Sequence, residues 1–350
     1  MTSDQRLAPS LDFANPFADR LARQATRAPH HRYPSIAQTH RFSGSHDAPR
    51  PFVQMRPCGT KLPLQFGQHV HARKAYGNNP VIDTFIYNAK RKQLAQSFKH
   101  PFILTPGDND WTDCHYVRPT SFDPLERLAK LREMFFSGDQ SLGQRTLTVA
   151  RQSNDPKYSK FPENLRWTYG DVLFVTLHVV GSENNFGRTR EMDAEYAERN
   201  AADLVWLREG FDFAKRNGTK AIMLIAQANP GFQNKWPEAR FRRYMLGSPI
   251  KPPEKKTKTG YDDFLAALET ETLAFTKPVV LGYGDSHIFR IDQPLLFSNT
   301  GRVIENFRRV ETFGTPDVHW IRVIVNPSDP NVFTFKPEFV KKTLVNHTAK

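Results

Sequence analysis

Residues 105–115 read Thr-Pro-Gly-Asp-Asn-Asp-Trp-Thr-Asp-Cys-His, and they gather Asp108, Asp110, Asp113, the amide Asn109 and the imidazole His115 in one short loop. The loop follows the apolar run Phe102-Ile103-Leu104, which reads as a buried strand ending at a Pro-Gly turn signal. Oxygen donors gathered at the carboxyl end of a strand suit a hard divalent cation. Strand ends are also where open α/β sheets place their sites. Asp and Asn are equally ordinary turn residues. The loop taken alone is therefore balanced between a metal-binding loop and a solvated acidic turn. Within it, His115 reads as a solvated loop residue rather than a ligand. Cys114 reads as a small buried residue rather than a nucleophile, because no basic neighbour would lower its pKa.

The elements that would position this loop follow from pattern. Asp123-Pro124-Leu125-Glu126 combines an N-cap, Pro at N1 and Glu at N3. The helix it opens should bury Leu125, Leu128, Leu131 and Phe135. Leu173–Leu177 reads as a buried strand. A long helix is expected over about 191–216, with Ala197, Ala201, Leu204, Leu207, Phe211 and Ala214 on its inner face and Asn217-Gly218 as its αL stop. Ala221–Ala226 is a second buried strand. Phe264, Leu265, Leu268 and Phe275 mark a third helix that feeds the strand Pro278–Leu281, and shorter strands continue to about residue 337. Strands alternating with helices predict an α/β fold. His178 closes the first of these strands. It is either a satisfied core histidine or a residue at the margin of a site, and Asn184 and Asn185 just beyond it favour the margin.

Composition bounds the rest. At 350 residues the chain can bury a large core. No apolar run reaches the roughly 18–20 residues of a membrane span, and no secretory apolar region opens the chain, so a cytoplasmic location is expected. Two cysteines, Cys58 and Cys114, make neither a disulfide framework nor a structural zinc site. The formal charge of +13 is uneven: residues 1–100 hold 15 Lys and Arg against 5 Asp and no Glu. Residues 1–80 show no sustained period and read as a basic, Pro/His/Arg-rich extension, largely disordered or aberrant. Asp4, Asp12 and Asp19 argue against a transit peptide. No stacking motif supports a nucleic-acid arm.

Beyond the extension, about residues 81–340, the motifs fall in a familiar order. Thr105-Pro-Gly-Asp-Asn-Asp110 resembles the Gly-Asn-His-Asp/Glu loop of the calcineurin-like metallophosphoesterases. Trp167–Leu177 is similar to the strand pair that follows that loop. Leu204–Gly218 with Ala221–Pro230 is similar to the helix and strand that lead to a metal-binding His. Gly284-Asp-Ser-His287 resembles the Gly-His-x-His loop. The string Gly-Asp-Asn-Asp-Trp-Thr-Asp-Cys itself looks like a bacterial-type branch of that superfamily.

The resemblance implies a layered β-sandwich flanked by helices, and hydrolysis of a small-molecule phosphoester by two metals about 3.5–4 Å apart. It implies divalent cations (Mn, Fe, Zn or Mg) held by Asp108, Gln227, Asp285 and His287. Asn109 stands where the family carries a leaving-group His, and an amide cannot transfer a proton. Asp110 would orient the loop. The family's opening Asp-x-His and Gly-Asp-x-x-Asp loops have no counterpart in residues 1–104; neither His46-Asp47 nor His69-Val-His71 has their spacing. The fold is thus expected to be incomplete at its N-terminus and the metal site degenerate. The implied function is a phosphatase or phosphodiesterase. The alternative is an inactive family member that binds a ligand, or a truncated product. Residues 231–260 form a basic insertion, with Arg242 and Arg243 beside Trp236, Phe241 and Tyr244. It is either a solvated loop or a lid that would suit an anionic substrate.

Overall fold

The computed structural model describes residues 50–55, 62–69, 80–116, 122–232, 258–314 and 319–340. The chain divides into two units, Met1–Ser45 with Val340–Lys350, and His46–Phe339; everything below concerns the second. Of the stretch read as an extension, Arg50–Met55 and Leu62–His69 are described and form strands β1 and β2. Of the basic insertion, residues 233–257 lie outside the described residues.

The architecture is mixed α/β. Further strands are β3 (Phe102–Leu104), β4 (Ala150–Arg151), β5 (Leu165–Tyr169), β6 (Val172–Thr176), β7 (Ala221–Ile225), β8 (Val279–Tyr283), β9 (Arg290–Asp292), β10 (Phe307–Glu311), β11 (Trp320–Val325) and β12 (Phe333–Glu338). With β1 and β2 they form a seven-stranded sheet of order β4-β5-β6-β7-β8-β10-β9 and a five-stranded sheet of order β12-β11-β2-β1-β3. The strands that matter here are β3, β6, β7 and β8. β6, β7 and β8 lie parallel and adjacent. Each is buried along its whole length, as parallel strands covered on both faces must be. Alternate side chains serve different layers. Leu173 and Val175 pack with Trp206, Leu207, Phe211, Phe264 and Leu268 of the helices. Val172 and Phe174 pack with Ile103, Ile321, Val323 and Val325 of the five-stranded sheet. Each such side chain contributes about 1.5–3 kcal/mol on burial. The order of layers is therefore helices, large sheet, small sheet.

Among the described residues, the long helices that flank the sheets are α1 (Pro80–Ser97), α2 (Pro124–Phe135), α3 (Arg190–Arg216) and α4 (Asp262–Phe275). Asp123 caps α2, its carboxylate accepting from the Leu125 N–H at 2.9 Å, with Pro124 behind it. Leu128, Leu131 and Phe135 are buried as expected, whereas Leu125 is only half-buried. Thr189 caps α3, and Gly218 at φ +64° ends it. The inner face of α3 is the expected one at Leu207, Phe211 and Ala214, which are buried, and departs from it in the first half of the helix. Ala197 and Ala201 are exposed, and Tyr196, Arg199, Asn200, Asp203, Trp206 and Gly210 are buried. The cause is a polar cluster that the first half of α3 covers, described below. No helix among the described residues is long and apolar enough to cross a membrane.

In register, Thr176 pairs with Ile225, and Ile225 pairs with Gly282. The loops after β6, β7 and β8 therefore leave the sheet side by side, and the loop after β3 meets them there.

Candidate functional site

Asp108, Gln227 and Asp285 are brought together from three strand ends. The Gln227 side-chain amide nitrogen donates to Asp108 Oδ1 and to Asp285 Oδ1, at 3.1 Å each. Its oxygen accepts from the backbone N–H of Gly181 at 2.6 Å and of Asp108 at 3.3 Å. Two donors facing Oε1 and two carboxylates facing Nε2 fix the orientation of the amide. Gly181 closes the point of convergence. A Cβ there would overlap Asp108 Oδ2 and stand 2.8 Å from Asp285 Oδ1.

Asp285 takes a further bond from the Asn229 N–H, at 2.9 Å on Oδ2. Burial raises its pKa to about 6; Glu311 and Asp113 push the same way, while the Asn229 N–H and the Gln227 amide oppose them. Asp110 is an internal strut. It accepts from the Gly107 N–H at 2.8 Å and from buried Arg91 at 2.6 Å, which folds Asp108–Asp110 into one turn of 3₁₀ helix. Asn109 is half-buried, its N–H on Asp108 Oδ1 at 2.8 Å.

His287 lies beside Gly314: a Cβ added to that glycine would overlap the His287 Cγ. Its own backbone is left-handed, φ +62°. His115 bonds the Thr112 carbonyl through Nδ1 at 2.6 Å. Among the described residues no group of three or more His, Cys, Asp or Glu is placed to hold a metal ion.

The donor set at the convergence can be tested against the implied metals on its own chemistry. Two carboxylate oxygens lie within 3.1 Å of one atom, so a single hard cation there would reach both. The Gln227 amide offers N–H rather than oxygen to that point.

Beneath the site lies a buried polar cluster that sequence pattern did not reveal. His178 and Glu163 are both fully buried and bonded, Nδ1 to Oε1, at 2.6 Å. Burial would raise the Glu163 pKa, but Arg132 and His178 outweigh it and hold it at about 2. Burial likewise lowers His178 to about 4, against the pull of Glu163. The imidazole is thus neutral at pH 7, with Nδ1–H donating to the carboxylate. Its ring meets Trp111 edge-on, centroids 5.4 Å apart. His178 is accordingly a support beneath the loop that carries Asp108. Asp203 sits alongside, its pKa raised by burial to about 7 although Arg199 and Asn164 oppose the rise.

Asn184 belongs to the turn Gly181–Asn184, in which Ser182, Glu183, Asn184 and Asn185 all have φ between 55° and 67°. Left-handed backbone costs an L-residue on the order of 1–2 kcal/mol, with Asn the most tolerant. The surrounding bonds hold the strain. Tyr261 Oη donates to the Val180 carbonyl at 3.0 Å and accepts from the Asn184 N–H at 3.2 Å. Ser182 Oγ donates to Asp113 at 2.6 Å. Arg188 bonds the Thr112 carbonyl at 2.6 Å and Asp113 at 3.4 Å. Only the Asn-Asn pair after Gly181 hinted at such a turn.

The chain matches no protein family, no curated protein and no solved structure.

Proposed function

We propose that the chain is a phosphoester hydrolase of metallophosphoesterase type, built on that family's layered sandwich, acting on a small-molecule phosphoester with a reduced metal site. The observation that carries the reading is the convergence of Asp108 and Asp285, from separate strand ends, on the single amide nitrogen of Gln227 at 3.1 Å each. Asp108 and Asp285 would hold one divalent cation, joined by the oxygen of Gln227 if the amide turns over. An all-oxygen set favours Mn²⁺ or Mg²⁺ over Zn²⁺. When bound, such an ion supplies Lewis-acid polarisation of a phosphoryl oxygen. Asp110 keeps the loop in shape, and Asn109 can donate a hydrogen bond to an ester oxygen but no proton. His287, which lies beside Gly314, is left out of this ligand set.

The test is Mn²⁺ content of the purified protein together with turnover of bis(p-nitrophenyl) phosphate. Bound Mn²⁺ and turnover that both vanish in Asp108→Asn and Asp285→Asn support the reading. Turnover insensitive to both substitutions, or none at all with no bound metal, removes it.

A specific observation favours a second reading, a non-catalytic member that binds a ligand. The Gln227 amide makes all its hydrogen bonds within the site, so the carboxylates are held together with no cation. In that case Mn²⁺ would neither bind nor stabilise the wild-type protein.

A further inference from the structure

We infer that Arg199 is a positioning residue: its guanidinium holds the left-handed turn after Gly181 and thereby sets how Gly181 presses on Asp108 and Asp285. The inference rests on the reading that these carboxylates form the working site.

Arg199 stands mid-helix on α3 yet is fully buried. All its N–H groups are used. Nε donates to Glu195 at 2.6 Å, and Nη2 reaches the same carboxylate at 3.1 Å. Nη1 donates to the His178 carbonyl at 2.6 Å and to Asn184 Oδ1 at 2.7 Å. Nη2 also donates to the Asn184 carbonyl at 2.9 Å. One flat, rigid fork thus ties the end of β6 to the middle of the left-handed turn. The guanidinium carbon also lies 5.4 Å from the Trp111 ring, and Trp111 directly follows the Asp108–Asp110 turn. Both loops that carry the site therefore lean on the same cation.

The geometry gives this a consequence at the site. Asn184 Oδ1 accepts from the Val180 N–H at 3.2 Å as well as from Arg199, so the turn closes on the residue before Gly181. That closure aims the Gly181 N–H at Gln227 Oε1 and lays its Cα against both carboxylates. If the fork were lost, Ser182–Asn185 would relax toward the right-handed backbone that L-residues prefer. Gly181 would then leave the carboxylate pair. Lysine keeps the charge at this position but has no fork to reach the His178 carbonyl and both oxygens of Asn184 together.

The test compares Arg199→Lys, Asn184→Gly and a control, Ile321→Val, which trims a buried side chain of the five-stranded sheet. Asn184→Gly cuts the side-chain link without adding strain at positive φ, and it decides the matter should Arg199→Lys fail to fold. Two quantities are read: the Mn²⁺ dissociation constant, and the hydrogen–deuterium exchange rate of the Gly181 amide. Both variants should weaken Mn²⁺ binding at least tenfold and speed Gly181 exchange at least tenfold. The control should change neither, although its melting temperature falls. Wild-type Mn²⁺ affinity and wild-type Gly181 protection in the variants overturn the inference, as does an equal change in the control. Should the wild-type protein bind no Mn²⁺, the metal reading falls, and the exchange rates alone decide: faster Gly181 exchange in the variants upholds the positioning role, and unchanged exchange overturns it.

Discussion

Asp108 and Asp285 follow strands of different sheets, β3 of the small one and β8 of the large one, yet they share one hydrogen-bond donor, the Gln227 amide, at 3.1 Å each. Two carboxylates this close, one of them with its pKa raised by burial to about 6, disfavour joint ionisation. Something positive or hydrogen-donating must stand between them. An amide supplies partial charge, and a cation would supply more.

That choice makes Gln227→Ala informative. The substitution leaves the Gly181 and Asp108 N–H groups without their acceptor and removes the shared donor between the carboxylates. It should destabilise the metal-free protein by about 1–3 kcal/mol. If the pair can bind a cation, Mn²⁺ should raise the melting temperature of Gln227→Ala more than that of the wild-type protein, because the ion no longer competes with the amide. A melting temperature indifferent to Mn²⁺ in both proteins would set the metal reading aside.

Gly181→Ala tests how tightly the backbone closes on the carboxylates. The added methyl would occupy the space of Asp108 Oδ2, and Asp108 is pinned through its backbone and cannot retreat freely. The expected result is loss of any Mn²⁺ binding, with a stability cost of about 1–3 kcal/mol from overpacking. A variant with wild-type stability and affinity would show that Gly181 does not press on the carboxylates.

The buried cluster predicts a two-sided pH dependence of stability. His178 is held at about 4, below its ordinary 6.5, so its share of stability is present above pH 6.5 and is lost as pH falls through 4. Glu163, held at about 2, acts in the same direction: its share is present above pH 4.5 and goes as pH falls toward 2. Asp203 runs the other way. Its pKa of about 7 exceeds the ordinary 3.8, so its contribution is full below pH 3.8 and is lost as pH rises through 7. Asp203→Asn copies the protonated form. Its stability relative to wild type should rise between pH 5 and pH 8, followed by urea unfolding at each pH, and a flat difference would rule out the Asp203 assignment.

The local elements were legible because each carries its own signal. Asp123-Pro124 announced α2, Gly218 the end of α3, and unbroken apolar runs the strands β6, β7 and β8. The convergence of Asp108, Gln227 and Asp285 was legible only through strand-end loops in a familiar order. What pattern missed was polar and buried. Arg199, Asn200 and Asp203 are buried on α3, and apolar periodicity, which follows only the hydrophobic stripe of a helix, does not report buried polar positions. The cluster with Glu163 and His178 pairs residues more than ten positions apart, and no local rule reports such pairs. His287 has a left-handed backbone and lies beside Gly314, a conformation that spacing does not convey.

Glu183→Gly separates strain from function in the left-handed turn. Glu183 sits at φ 56°, ψ 30°, a conformation that glycine adopts at no steric cost. Its side chain makes one long bond, from the Gly260 N–H at 3.4 Å, and its carbonyl crowds Gly260 whatever residue stands at position 183. Removing the side chain therefore gives up little and relieves an unfavourable backbone. Glycine also gains freedom in the unfolded chain, which offsets part of the benefit. The net expectation is a stabilisation of about 0.5–1 kcal/mol by urea unfolding. Serine at 182 would not behave alike, since Ser182→Gly also discards the 2.6 Å bond to Asp113. A Glu183→Gly protein less stable than wild type by more than about 1 kcal/mol would mean that residue 183 does not sit in the left-handed region in solution.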